Sequence, residues 1–194
     1  MVGAGILFRR NIMKIQTFLL MASAVVSLSA CGGGGSDGTV APAVDPNARI
    51  LAPGSYKLAF SAISTARLEV PISGIDISVK FPAGISVSTL TGTSGEITAA
   101  SITSGSAVQW SPFGSYSAST RKVYLNMITA QSSYRGGQYL NLLFSVGAGT
   151  AITPNDIFAL NTGYAPYKVV GFDAATNSSV TMTGKVKTTL EVVR

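Results

Sequence analysis

The strongest constraint on the fold of this chain is a spacing of two between its apolar residues. In "GIDISVKF", Ile75, Ile77, Val79 and Phe81 share one side, while Asp76, Ser78 and Lys80 share the other. A break at Pro82-Ala83-Gly84 follows, and Ile85 and Val87 resume the alternation. "YLNLLFSV" groups Leu140, Leu142, Phe144 and Val146. The last segment alternates from Val180 through Met182, Val186, Leu190 and Val192, with Thr181, Lys185, Lys187 and Glu191 opposite. A period of two is that of a strand with one face buried. "RKVYLNMITA" is apolar on both faces, as expected of a strand in the middle of a sheet. Gly, Ser, Pro and Asn turns separate these runs, with no long amphipathic helix between them. The expectation is an all-β fold, an antiparallel sandwich beginning near Gly54. One short helical turn is expected at "TPNDIFAL", with Thr153 as N-cap, Pro154 first in the helix and Asp156 near its positive end. A domain of roughly 140 residues buries about two thirds of its unfolded surface, enough for a core without covalent staples.

Composition removes several chemistries. The 194 residues include no histidine and one cysteine, Cys31. A Cys/His zinc site, a Ser-His-Asp or Cys-His relay and an internal disulfide therefore cannot be assembled. The eight acids show no spacing that suggests paired catalytic carboxylates. Asp173 and Asn177 in "DAATNSS" lack the D-x-D-x-D-G pattern of a calcium loop and read as an Asx-rich hairpin turn. "GTSGE" and "GAGT" do not lead from a strand into a helix with a lysine, so they carry no phosphate site. No cofactor, metal or catalytic residue is expected.

The N-terminal region has its own organisation. "RRNIMK" is basic, and the apolar run "IQTFLLMASAVVSL" after it is too short for a comfortable span of about 20 residues. Leu28, Ser29, Ala30 and Cys31 then resemble the lipobox of bacterial lipoproteins. That resemblance implies cleavage before Cys31, lipidation of this cysteine and membrane attachment through the acyl chains, each buried methylene contributing about 0.8 kcal/mol. Gly32, where aspartate would signal inner-membrane retention, implies sorting to the outer membrane. Met13 also begins a complete leader, and Arg9-Arg10 admits a twin-arginine route as well as general secretion. Without Arg9, Arg10 and Lys14 the net charge of +6 falls to +3. The remaining basic residues form no stripe, so nucleic acid is not an expected partner. The expected organisation is a leader over 1–30, a Gly/Pro-rich tether over 31–53 and a sandwich domain over 54–194.

Within the domain, "VPISGIDISVKFPAGISV" resembles the opening strands of cohesin-like modules, and "KVYLNMITAQSSYRGGQYLNLLFSVGAGTAITPNDIFAL" is similar to their later half. The resemblance covers about residues 54 to 193. It implies a nine-stranded, jelly-roll-like sandwich that binds protein or, as in related carbohydrate-binding modules, glycan. "FPAG" replaces the tyrosine-aspartate-proline usual at the first break, and no dockerin-like calcium repeat is present, so cellulosome function does not transfer.

The stretch "QWSPFGSYSASTR" reads as a long loop carrying Trp110, Phe113 and Tyr116. Aromatics on such a loop stack on sugar rings or dock a protein. The alternative is that Trp110 plugs the core while Phe113 covers the sandwich edge. Tyr134, Tyr139, Tyr164 and Tyr167 add aromatic surface or core, and their facing is open. The functional expectation is a lipid-anchored envelope module that binds a protein partner, with polysaccharide binding or a purely structural role as alternatives.

Overall fold

The computed structural model describes residues 44–110, 112–162 and 166–194. The leader, Cys31, the tether up to residue 43 and Tyr164 lie outside the described residues. Among the described residues, ten strands form two antiparallel five-stranded sheets, where the cohesin-like resemblance implies nine. The strands are β1 (Gly54–Ser64), β2 (Ile72–Lys80), β3 (Ile85–Ser86), β4 (Ile102–Ser104), β5 (Phe113–Ser117), β6 (Lys122–Ile128), β7 (Gly137–Val146), β8 (Lys168–Asp173), β9 (Ser178–Thr181) and β10 (Val186–Val193). The first sheet runs β10-β1-β7-β3, with β4 also on β7, and the second runs β5-β6-β2-β8-β9.

The chain changes sheet between β1 and β2, β2 and β3, β4 and β5, β6 and β7, β7 and β8, and β9 and β10. Each crossing brings a new alternating strand over the core. Leu58 and Phe60 of the first sheet thus face Ile75, Ile77 and Val79 of the second, all fully buried. Phe144 of β7 stacks on Tyr56 at 5.9 Å between ring centroids and meets Phe81 at 5.4 Å, tying the layers together.

The helical turn forms as the sequence indicates. In α1 (Pro154–Ala159), Thr153 accepts from the Asp156 N–H, and the Asp156 carboxylate accepts from the Thr153 N–H at 2.7 Å. Together they make a reciprocal capping box. The fold starts earlier than Gly54: Leu51 is buried, and its N–H donates to the Ile152 carbonyl at 2.8 Å. A 3-10 turn (Pro46–Ala48) precedes it, capped by Asp45.

Three local readings are corrected. The last alternating segment is two strands in different sheets, because Gly184 at φ 90° and the Lys185 N–H to Met182 carbonyl bond turn the chain between β9 and β10. Val180, Met182 and Val186 keep one parity across that turn, which hides it. The stretch around Phe113 is not all loop, since β5 runs through it with mostly serine and glycine on its alternate positions. β6 does lie inside a sheet, between β5 and β2, but only Val123, Leu125 and Met127 are buried. Tyr124 and Ile128 face outward uncovered.

Candidate functional site on the outer face of the second sheet

Strand register assembles this face. Phe113 of β5 lies opposite Asn126 of β6, Asn126 opposite Asp76 of β2, and Asp76 opposite Lys168 of β8. The next row is Ser115, Tyr124 and Ser78, and the one beyond it Ser117, Lys122 and Lys80. On the other side of the central row, Ile128 and Val170 flank Gly74. A Cβ on Gly74 would stand 2.8 Å from Val170 Cγ2, so glycine here lets Val170 lie across the strand. Because alternate residues point to one side, all these side chains project away from the core.

Phe113, Tyr124, Tyr167 and Phe172 are 48, 41, 55 and 47 % exposed, and Ile128 is 63 % exposed. Phe113, Tyr124, Tyr167 and Phe172 are the exposed aromatic residues among the described ones; strand alternation puts Phe113, Tyr124 and Phe172 on this face, and Tyr167 borders it beside Asp76. At its centre Asn126 Nδ2 donates to Asp76 Oδ1 at 2.6 Å, leaving the second carboxylate oxygen free of a side-chain partner among the described residues. The Lys122 ammonium sits 4.9 Å above the Tyr124 ring, a cation–π distance. Tyr167 precedes β8, and its N–H donates to the Asp76 carbonyl at 3.1 Å. Burial raises the Tyr167 phenol above its ordinary value, and the Asp76 charge and Tyr124 beside it push the same way.

The face runs into a cavity of about 480 Å³ lined by Val70, Pro71, Ser73, Thr129, Gln131 and Phe172. Thr129 directly follows Ile128, and its N–H is held by the Ser73 carbonyl at 2.9 Å. Its lining is largely apolar, a shape suited to one inserted side chain.

The three aromatics singled out from sequence separate. Trp110 is half-buried against the core, and its Nε1–H donates to the Tyr139 carbonyl at 2.6 Å. Tyr116 is on the inner side of β5, buried, with its hydroxyl directed to the Ile85 carbonyl at 3.3 Å. Phe113, three residues before Tyr116, has the opposite facing and alone of the three joins the exposed face. Tyr134 and Tyr139 are core residues, bonded to the Gly137 carbonyl and the Thr188 hydroxyl. Burial pushes both phenols well above the ordinary tyrosine range. Sequence reading placed Asp76 on the polar side of its strand but missed Tyr124, Asn126, Ile128 and Phe172 as surface groups. The available signal was the apolar content on the second side of "RKVYLNMITA", which marks either a doubly covered strand or an open adhesive face.

Donors hold four carboxyls below their ordinary range, first among them Asn155 for Asp45, Lys185 for Glu69, Thr153 for Asp156 and Thr176 for Asp173. A general acid at neutral pH needs the reverse shift. Asp173 spends its oxygens within its own turn, accepting from Ala175 N–H at 2.9 Å and the Thr176 hydroxyl at 2.8 Å. Among the described residues no group of three or more cysteines or acids is arranged to hold a metal ion, and no helix is long and apolar enough to cross a membrane. Comparison with protein-family models, curated proteins and solved structures finds no match.

Proposed function

We propose that this chain is an exported, lipid-anchored envelope protein that acts by binding. Cys31 is the attachment point, and the domain docks a protein partner through the outer face of its second sheet. The observation that carries the reading is the gathering of Phe113, Tyr124, Tyr167, Phe172 and Ile128 on one sheet face beside an apolar cavity. Aromatic residues ringed by polar ones are the composition of interface hot spots, and rigid tyrosines and phenylalanines lose little entropy on docking. Cell-envelope attachment rests on the Leu28-Ser29-Ala30-Cys31 box with its basic and apolar leader.

A glycan is the second reading, favoured by one specific arrangement. Phe113 and Tyr124 are diagonal neighbours around the Asp76–Asn126 pair and several serines, so ring stacking and hydroxyl recognition are available on one plane.

The test is capture from host envelope extract by the domain, run beside polysaccharide binding, with wild type and the Phe113→Ser/Tyr124→Ser double variant. Truncating an interface hot spot costs about 2 kcal/mol, roughly thirtyfold in Kd. The expected result is one retained protein, lost with the double variant, and no retained glycan. A retained polysaccharide that the variant loses replaces the protein reading with the glycan one. Retention unchanged by both substitutions contradicts this face as the site. Cys31→Ser is expected to release the chain from the membrane fraction, and unchanged fractionation contradicts the lipid anchor.

A further inference from the structure

The two sheets have four edges, and they are not equally protected. β5 is covered, since the Tyr116 N–H donates to the Gly95 carbonyl at 2.8 Å and the Ile97 N–H to the Gly114 carbonyl at 2.9 Å. Beyond β7 lie only β3 and β4, of two and three residues, and β9 has four. β10 is eight residues long and pairs with β1 alone, and its far side has no main-chain partner among the described residues. No proline, glycine or bulge interrupts it. A strand of this kind is a template for another strand.

The Thr65 N–H donates to the Lys185 carbonyl at 2.8 Å, one step beyond the Ser64–Val186 pair. Alternation then directs the main-chain groups of Lys187, Thr189, Glu191 and Val193 toward β1. Those of Val186, Thr188, Leu190 and Val192 point to the open edge. Leu190 and Val192 face the core side of the strand yet are only half-buried, with Pro154 of α1 beside Val192 and no strand beyond them among the described residues. Lys187 and Glu191 are exposed on the outer side, and neither forms an ion pair among the described residues, unlike Lys185, which pairs with Glu69.

We infer that β10 pairs with β10 of a second copy of this chain, antiparallel about a two-fold axis at Thr189. This register sets Lys187 opposite Glu191 of the second copy, and by symmetry Glu191 opposite its Lys187. Thr188 meets Leu190 and Val186 meets Val192 as hydrogen-bonded pairs on the core side. With the axis at Leu190, Lys187 meets Val193 and Glu191 meets Thr189; with the axis at Thr188, Glu191 meets Lys185, already paired with Glu69, and Lys187 meets Thr189. Both charges of β10 meet complements only with the axis at Thr189, so the charges favour that register. The pairing joins two first sheets and uses none of the residues of the proposed binding face, so it stands independently of that reading.

The test is disulfide cross-linking of the full chain in membranes of expressing cells, with wild type as the background for Cys31. Opposed residues at a non-hydrogen-bonded antiparallel site lie about 4.5 Å apart at Cα, within disulfide reach. Thr189→Cys is expected to give a reducible dimer. Lys187→Cys, whose two copies fall four residues out of register, is expected to give none above wild type. Adding Glu191→Lys to Thr189→Cys opposes lysine to lysine and is expected to abolish the dimer. Adding Lys187→Glu as well restores opposite charges and is expected to recover it. A Thr189→Cys chain that stays monomeric, equal cross-linking from position 187, or no recovery in the charge-swapped chain would overturn the pairing.

Discussion

Trp110 is the only tryptophan of the chain, and its Nε1–H bond to the Tyr139 carbonyl explains why an indole occupies that position. Trp110→Phe keeps most of the apolar contact but leaves that carbonyl without this donor, so a loss of about 1 kcal/mol in denaturant unfolding is expected. Unchanged stability would mean the bond contributes nothing. Gly105 illustrates a different residue-scale demand. Its Cβ would fall on the backbone of Gln138, where only backbone movement relieves the clash. Gly105→Ala is therefore expected to destabilise by about 1–3 kcal/mol, in the range of overpacked sites. Titration acts at this scale too. Asp45, Glu69, Asp156 and Asp173 have folded pKa values below their ordinary values of 3.8 to 4.5. Their stabilisation is full above that range and is lost as pH falls through the lower folded values. Tyr134 and Tyr139 are shifted up from 10.0, so their contribution is full below that pH and is lost as pH rises through the folded values. Thermal melts are expected to be flat near neutrality and to fall in acid and in alkali. A melting temperature that rises on acidification below pH 3.8 would contradict the carboxylate assignments.

Among the elements, β7 is the hub of the first sheet, pairing with β1, β3 and β4. Leu142→Ala removes a fully buried side chain from its centre and is expected to cost about 2–5 kcal/mol in equilibrium unfolding. Thr153→Ala is expected to cost only about 1 kcal/mol, because it disturbs one cap of a six-residue helix. β2, β7 and the Thr153 cap were legible in the sequence because their signals are local: a period of two, or one capping residue and its partner. β4 and β5 are too short or too polar to carry a period, whereas β3 and β9 fall within the alternation read at Ile85 and at Val180. The break between β9 and β10 was hidden because Val180 and Val186 have the same parity across the Gly184 turn. Of the exposed face, the sequence showed the polar side of β2 and Phe113 but not the open side of β6. Whether Tyr124 and Ile128 are covered depends on what packs over the outer side of β6, which is a property of the sheet order and not of the strand.

At the scale of the whole molecule, the proposed attachment at Cys31 would tether a domain that presents two open features, a sheet face and a strand edge. They belong to different sheets, so the proposed partner and the proposed second copy would not compete for residues. The proposed function requires that the outer face of the second sheet meet another protein in the envelope. Tyr124 stands near the middle of that face, and its outward ring tolerates replacement without touching the core. The direct measurement is photo-cross-linking in intact host cells, with a photoreactive phenylalanine analogue in place of Tyr124 and, separately, in place of Ser145. Ser145 is exposed on the outer face of the first sheet. One discrete protein adduct is expected from position 124 and none of that mass from position 145. No adduct from position 124, or the same adducts from both positions, would contradict the proposed function.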